Sequence, residues 1–446
     1  MTLDWLLEGM ARYRDDLAVA APAGTWTYGD LLERAAWWQQ ALAERGCPGG
    51  SVVSVEGDYG ADSIGLFLAV ANAGSVVVPL SSDVAQDHER FVETAQIEWR
   101  VSTSSGPEAA RVTGTGRTAS HALYQELRRR EHPGLVLFSS GSTGAHKAAV
   151  HDLSLLLEKF KTPRHRRRTL VFLLLDHIGG VNTLLYTLAN GGAVVVPAGR
   201  TPAAVCAAIA RHQVELLPTS PTFLNLLLLS GEHARHDLRS LSLITYGTEP
   251  MPQSTLDRLV QAFPGTEFLQ TYGLTEIGIL RSKSRDKGSL WVQVGGDDFE
   301  TKVVDGRLWV RAKSAMLGYL NAPSPIDAEG FLDTGDLVEV DGPWIRFLGR
   351  KSDIINVGGL KVYPAEVENL LLQMDNVEDV SVRGEPNPIT GQIVAATVRL
   401  RAPETPAAFK VRMRQFCADQ LANWKVPARV RFTDDPVHSA RFKRVR

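Results

Sequence analysis

Cysteine is scarce: Cys47, Cys206 and Cys417 are the only three in 446 residues, and they lie far apart. No CxxC or Cys/His spacing joins them, which excludes a disulfide framework and a zinc ribbon and points to a reduced, cytosolic protein. Net charge is nearly absent too. A formal value of -2 excludes a chain built chiefly to neutralise nucleic-acid phosphates, so no nucleic-acid partner is expected. The first residues, Met1-Thr-Leu-Asp-Trp-Leu-Leu-Glu-Gly, lack the basic start and long apolar core of a signal peptide. Polar residues interrupt every apolar run before it could span a bilayer, so no membrane insertion is expected. Internal repeats and low-complexity tracts are also missing. What remains, 44% hydrophobic and 22% charged, is ordinary globular material, in a chain long enough for two or more domains.

The pattern over 51–80 is strand, helix, strand: Ser51-Val-Val-Ser-Val55, a helical stretch from Asp62 to Ala73, then Gly74-Ser-Val-Val-Val-Pro-Leu80. It recurs as a strand from Leu170 to Leu175, a helix from about Val181 to Ala189 and an apolar run to Pro197. A helix from Pro202 to His212 before Val214–Pro218 repeats it again. Such alternation predicts layered α/β structure with mostly parallel, buried strands. From about Gly288 short strands and turns take over, and Asp305-Gly306 signals a hairpin in a small β-barrel-like region. Beyond Gly349-Arg-Lys-Ser-Asp353 a compact α+β set of about 95 residues follows. Its predicted elements are a strand at Ile354–Val357, a helix from about Pro364 to Met374, strands Val377–Arg383 and Ile393–Arg401, a helix Pro406–Leu421 and a strand Ala428–Phe432. The fold class is therefore α/β: a large domain over 1–349 and a small mobile α+β domain over 350–446, with a hinge near 350–353.

Two basic clusters, Arg128–Arg130 and Lys161–Arg168, could bind an acidic partner or phosphates, or simply be solvated loop and helix ends. Neither carries the interleaved aromatics of a nucleic-acid surface.

The densest chemistry lies in 138–149. An apolar run ending at Phe138 enters Ser139-Ser-Gly-Ser-Thr-Gly144 and reaches Lys147, as a strand feeding a loop would. Glycines there let the backbone approach a polyanion, the N–H groups and the hydroxyls of Ser139, Ser140, Ser142 and Thr143 can donate to phosphate, and Lys147 adds a point charge. A Ser/Gly-rich surface turn would have the same composition. A P-loop kinase or NTPase would place Gly before the lysine and Ser or Thr after it, where this chain has His146 and Ala148. Gln270-Thr-Tyr-Gly-Leu-Thr-Glu276 follows apolar Phe268-Leu269 at a strand end, the ligand position of an open α/β sheet, although a helix N-terminus looks similar. Asp333-Thr-Gly-Asp336 could present a carboxylate to ribose hydroxyls or form an Asx-type turn. Gly349-Arg350, Gly358-Gly359 and the basic end Ser439–Arg446 complete the set.

In this order, the stretches resemble the acyl-adenylate-forming superfamily of acyl- and aryl-CoA ligases, stand-alone adenylation domains and luciferase-like enzymes. The resemblance spans nearly the whole chain, from Trp26-Thr-Tyr28 to Lys443. It implies that a carboxylate attacks the α-phosphorus of MgATP to give an acyl-adenylate, and that a phosphopantetheine thiol then displaces AMP. That thiol belongs to CoA or to an acyl carrier protein acting in trans. Under it, Ser139, Ser140, Gly141, Ser142, Thr143, Gly144 and Lys147 hold the outer phosphates. Gly247, Thr248, Glu249, Gln270, Tyr272, Gly273, Asp336 and Arg350 hold the rest of the nucleotide. Thr275, Glu276 and Lys443 are catalytic, with Glu276 the Mg²⁺ ligand and Lys443 bridging carboxylate and α-phosphate. His177, Tyr246, Leu274 and Gly278 line the acyl pocket, and Gly358 and Gly359 line the thiol channel once the small domain rotates about Ser352.

The family pattern is broken at His146, at Gly306-Arg307-Leu308, which lacks the usual glutamate, and at the hinge, where Ser352-Asp353 stand. His177 favours an acid without an α-amino group. Asp176 keeps open an amino-acid-activating relative, in which an aspartate near this point holds the ammonium. A degenerate binding homologue is expected to have lost Glu276, Asp336 or Lys443, and all three are present.

Overall fold

The structure, a computed structural model, describes residues 3–103, 111–140 and 146–438. The Gly141–Gly144 and Lys443 assignments therefore lie outside the described residues.

Two seven-stranded sheets dominate the first 320 residues. In one, Val52–Glu56, Val76–Leu80, Gly134–Ser140 and Trp99–Ser102 run parallel, and the Val-rich Val76–Leu80 is buried along its length, as a strand covered on both faces must be. In the other, Glu267–Gln270, Leu243–Tyr246, Leu216–Thr219, Arg168–Leu170, Ala193–Val195 and Leu17–Ala21 run parallel, and only Gly24–Thr27 turns back at the edge. Helix Tyr28–Glu44 begins at a capping box in which Thr27 and Asp30 exchange hydrogen bonds.

The expected strand over Leu170–Leu175 stops at Leu170. Val171 still donates its N–H to the Val195 carbonyl at 2.9 Å, and beyond it the buried Phe172 and Leu175 serve packing rather than a ladder. The chain then folds back onto helix Ile178–Ala189, where a Cβ on Gly180 would lie 1.8 Å from the Leu174 carbonyl oxygen. That helix starts three residues earlier than the sequence pattern suggested, because the His177 ring caps it, accepting from Gly179 N–H at 3.1 Å.

Strand Gly134–Ser140 returns as His146–Asp152, paired from Gly134↔Asp152 to Ser140↔His146. Lys147 thus stands on a strand opposite Ser139 rather than within a loop. The Asn321 amide fastens this returning strand, accepting from Ala148 N–H and donating to the His146 carbonyl.

A six-stranded antiparallel sheet follows, with Asp305 and Gly306 both at positive φ in the two-residue turn joining Phe299–Val304 to Arg307–Ala312. The remainder has a core of its own, from Ile355 to Leu421. Helices Pro364–Leu371 and Pro406–Cys417 accompany strands Ile355–Val357, Leu360–Val362, Val377–Asn387, Gly391–Leu400 and Arg429–Phe432. Ser254 meets this unit through Asn369 Oδ1, which accepts from its N–H and its hydroxyl. The architecture is the α/β class expected. No helix among the described residues is long and apolar enough to cross a membrane.

Candidate active site

A cavity of ≈ 1080 Å³ runs along one face of the parallel strands and reaches past their C-terminal ends, the position a parallel sheet offers to ligands. Strand alternation decides which side chains reach it. Leu216 and Pro218, Leu243, Thr245 and Gly247, and Leu269 and Thr271 line it. Leu217, Ile244, Tyr246 and Phe268 point to the opposite face and fill the core. Across from the strands, helix Ile178–Ala189 presents Gly179, Asn182, Thr183 and Tyr186, the spacing of one helical face.

At one end a short hairpin pairs Gly273–Leu274 with Gly278–Ile279, and Thr275 and Glu276 occupy its turn and line the cavity. The helix-start alternative for this stretch is thereby set aside. A Cβ on Gly273 would come within 2.5 Å of the Gly278 carbonyl oxygen, so only glycine permits the pairing. Tyr319 Oη donates to Glu276 Oε1, and the Lys147 ammonium sits 5.2 Å from the Tyr319 ring centroid. Beneath the turn lies His151, fully buried and held neutral because burial pushes its pKa down to about 4.

Beside the hairpin, Tyr272 Oη donates to Asp336 Oδ2 at 2.6 Å, and Arg350 Nε donates to Asp336 Oδ1 at 3.3 Å. The Tyr272 ring stacks on Phe347, with centroids 4.5 Å apart. Burial holds the Asp336 carboxyl above the usual carboxylate range, against the opposing pull of Arg350. Thr248, which lines the cavity, has φ +74°, a left-handed conformation costly for a β-branched residue.

Ser139, Gly247, Thr248, Gly273, Leu274, Thr275, Glu276, Arg350 and His177 all line this one cavity. Several other expected residues do not. Tyr246 and Gln270 are carried away from it by the two-residue strand period. Glu249 instead accepts from Thr222 N–H at the start of helix Pro221–Ser230. Gly278 serves the hairpin with φ +80°, its Cβ position facing Leu156 and Ser314. Tyr272 and Asp336 stand behind Arg350 rather than in the lining, and Lys147 packs on Tyr319. Gly358 and Gly359, both at positive φ, form the turn between Ile355–Val357 and Leu360–Val362, away from the lining. Asp176 is buried and accepts from Ser81 Oγ at 2.7 Å, not facing the cavity where a substrate ammonium would bind.

His146, the break in the loop pattern, packs edge-on against Phe91, which stacks on Phe138, and its Nε2 lies 3.8 Å from Asp87 Oδ2. The sequence reading missed Lys159 altogether. Its ammonium donates to Asn182 Oδ1 at 2.6 Å and to the Ile279 carbonyl at 2.9 Å, and burial, with Arg164 and Arg281 nearby, pushes its pKa down to about 7. Arg164, His165 and Arg167 of the second basic cluster line the same end. Helical spacing of Lys159 after buried Leu156 was the available signal, but a lysine in an apolar segment ordinarily reads as surface.

A nucleotide fits this lining: Ser139, Thr248, Thr275 and Arg350 offer donors to it, and the Asp336 carboxylate and Tyr272 ring stand directly behind Arg350. Among the described residues no group of three or more His, Cys, Asp or Glu could hold a metal; a Mg²⁺ here would need phosphate and water beside a lining carboxylate such as Glu276.

Residues 6–320 match the AMP-binding enzyme family and residues 366–443 match the AMP-binding enzyme C-terminal domain. A methyl-dioxo-octahydro-indenyl-propanoyl:CoA ligase of Rhodococcus jostii (strain RHA1) is 30% identical over 316 residues, 67% of this chain and 61% of that protein. The chain thus spans about three fifths of the length of that relative. A 2-succinylbenzoate–CoA ligase of Geobacillus kaustophilus is 26% identical over 99% of this chain and 96% of its own length. Among solved structures, an anthranilate CoA ligase in complex with anthranoyl-AMP superposes with a TM-score of 0.83 at 20% identity, covering 99% of this chain and 95% of that one. At that identity the likeness establishes the fold.

Proposed function

Because the chain belongs to the AMP-binding enzyme family, we propose that it activates a carboxylic acid with ATP and passes the acyl group to a phosphopantetheine thiol. CoA is the acceptor named in the relatives, and it is the acceptor proposed here. The observation that carries the reading is one cavity lined both by Ser139, Thr275, Glu276 and Arg350 and by the apolar or aromatic faces of His177, Ile178, Leu173 and Leu274 that would flank an acyl group.

In the first step a carboxylate oxygen forms a bond to the α-phosphorus while the α–β bridging P–O bond breaks and pyrophosphate leaves. In the second, the thiol sulfur attacks the acyl carbonyl, loses its proton, and AMP departs with the C–O bond electrons. Thr275 and Ser139 donate to phosphate oxygens, and Asp336 with Arg350 grips the ribose hydroxyls next to Tyr272. Mg²⁺, when bound with ATP, supplies charge neutralisation across the phosphates, and Glu276 is the chain's own ligand for it. Lys443 has the role of bridging carboxylate and α-phosphate in this proposal, and the Gly358-Gly359 turn that of reaching the thiol path after rotation about Ser352. The unit over 1–349 binds ATP and acid, and the unit over 350–446 swings between the two steps. The buried position of Asp176 supports an acid lacking an α-amino group.

Acid-dependent exchange of pyrophosphate into ATP, run over a panel of aryl and alkyl acids, tests the proposal, with mass spectrometry of CoA as the second-step readout. Exchange with at least one acid and a matching acyl-CoA are expected. A folded protein that exchanges with none overturns the reading.

A further inference from the structure

We propose that the acyl end of the cavity is a subsite for a second anionic group on the substrate, a carboxylate seated on Lys159. The inference rests on the acid-activating reading above and specifies the acid.

An ammonium has three donors. At Lys159 two of them meet neutral acceptors, Asn182 Oδ1 and the Ile279 carbonyl; the ammonium also lies 5.1 Å from the Phe160 ring centroid, and its side chain lines the cavity. Among the described residues no carboxylate forms an ion pair with it. Two cations that also line the cavity, Arg164 and Arg281, lie near it and carry its own sign. Arg281 lies 3.9 Å from Asp297, which is almost fully exposed, and Asp298 is the one carboxylate acting on Lys159 at longer range. Like charges gathered in a partly enclosed chamber repel one another and are poorly solvated, so a ligand anion relieves both costs. Nothing in the sheet wall opposite supplies that anion, since Leu216, Leu243 and Leu269 face the chamber there.

The same hairpin sets the length of the substrate. Its turn holds Glu276, proposed above to serve the phosphate end of the reaction, and its open end, at Ile279, holds the Lys159 ammonium. Three residues separate these points along the backbone, so the Cα atoms of Glu276 and Ile279 are at most about 11 Å apart and the side chains set the rest of the span. An aromatic ring or short alkyl chain bridges that span, flanked by Leu274, Ile178 and Leu173.

Isothermal titration of the full chain with α,ω-dicarboxylates and benzene dicarboxylates, each beside its monomethyl ester, tests the subsite directly. At pH 6.5 at least one diacid is expected to bind about tenfold or more tightly than its half-ester. Lys159→Met should erase that difference while Lys159→Arg keeps most of it, with thermal melts confirming that both variants fold. No diacid preference in the parent protein overturns the proposal, as does a preference that survives Lys159→Met. Tighter binding of phenols than of diacids, the mark of a neutral amine, also overturns it. Pyrophosphate exchange with the same ligands separates the two readings. A Lys159-dependent diacid that binds without exchange keeps the subsite and counts against acid activation, whereas exchange confined to half-esters keeps activation and removes the subsite.

Discussion

Replacing Asp336 with asparagine should stabilise the protein and weaken its grip on ATP at the same time. The carboxyl is buried and its pKa is raised by that burial despite Arg350 and Tyr272. A carboxyl with a raised folded-state pKa costs nothing below the ordinary carboxylate range, and its ionisation erodes stability as pH rises through the folded value. Asparagine keeps the shape and an acceptor for Tyr272 Oη but removes the charge. What it loses is the pairing with Arg350, whose side chain is 54% exposed, so that term is only about 0.2–1 kcal/mol. With burial the larger influence, the net gain at pH 8 should be about 1 kcal/mol, or roughly 2 °C in Tm, fading as pH falls toward 4. For ATP the sign reverses. Two ribose hydroxyls that donate to a carboxylate lose about 1 kcal/mol each when the acceptor becomes neutral, so the KM for ATP should rise roughly 30-fold. Thermal melts from pH 4 to 8 and pyrophosphate exchange at varied ATP measure the two effects. A lower Tm at pH 8, or an unchanged KM, would refute the reasoning.

Lys443→Ala should abolish adenylate formation while sparing thioester formation from supplied acyl-AMP; equal loss of both steps would remove its assigned role. His177→Ala should cost about 1 kcal/mol through the lost cap on helix Ile178–Ala189, and His177→Asn should recover it by urea denaturation. Both substitutions should still change the KM for the acid, which separates the capping role from the pocket role. Gly180→Ala drives a Cβ into the Leu174 carbonyl, so a loss of more than about 4 kcal/mol, or of soluble protein altogether, is expected. Parent-like stability there would show that the turn after Leu170 is not packed as described.

Local chemistry made much of the architecture readable. The Val-rich runs at Val76–Leu80 and Ala193–Val195 are strands of parallel sheets, Asp305-Gly306 is a hairpin turn, and the apolar pattern after Asp353 closes its own core. Each of these depends on near neighbours in the chain, whose periodicity and turn preference the sequence displays. Motif order likewise pointed to the family now matched over residues 6–320 and 366–443.

By itself, then, the sequence determined fold class, family and several of the segments that line the cavity. Which side chain of each segment does so was decided only by tertiary structure. Tyr246 and Gln270 lie within one residue of Thr245, Gly247 and Thr271, yet they face away, because a strand reverses its side chains at every step and nothing local says which face the cavity adjoins. Lys159 shows the converse. An ordinary lysine in the sequence becomes the chamber's inner cation only when Asn182 and Ile279, brought from distant parts of the chain, close around its ammonium and remove the water that would otherwise solvate it.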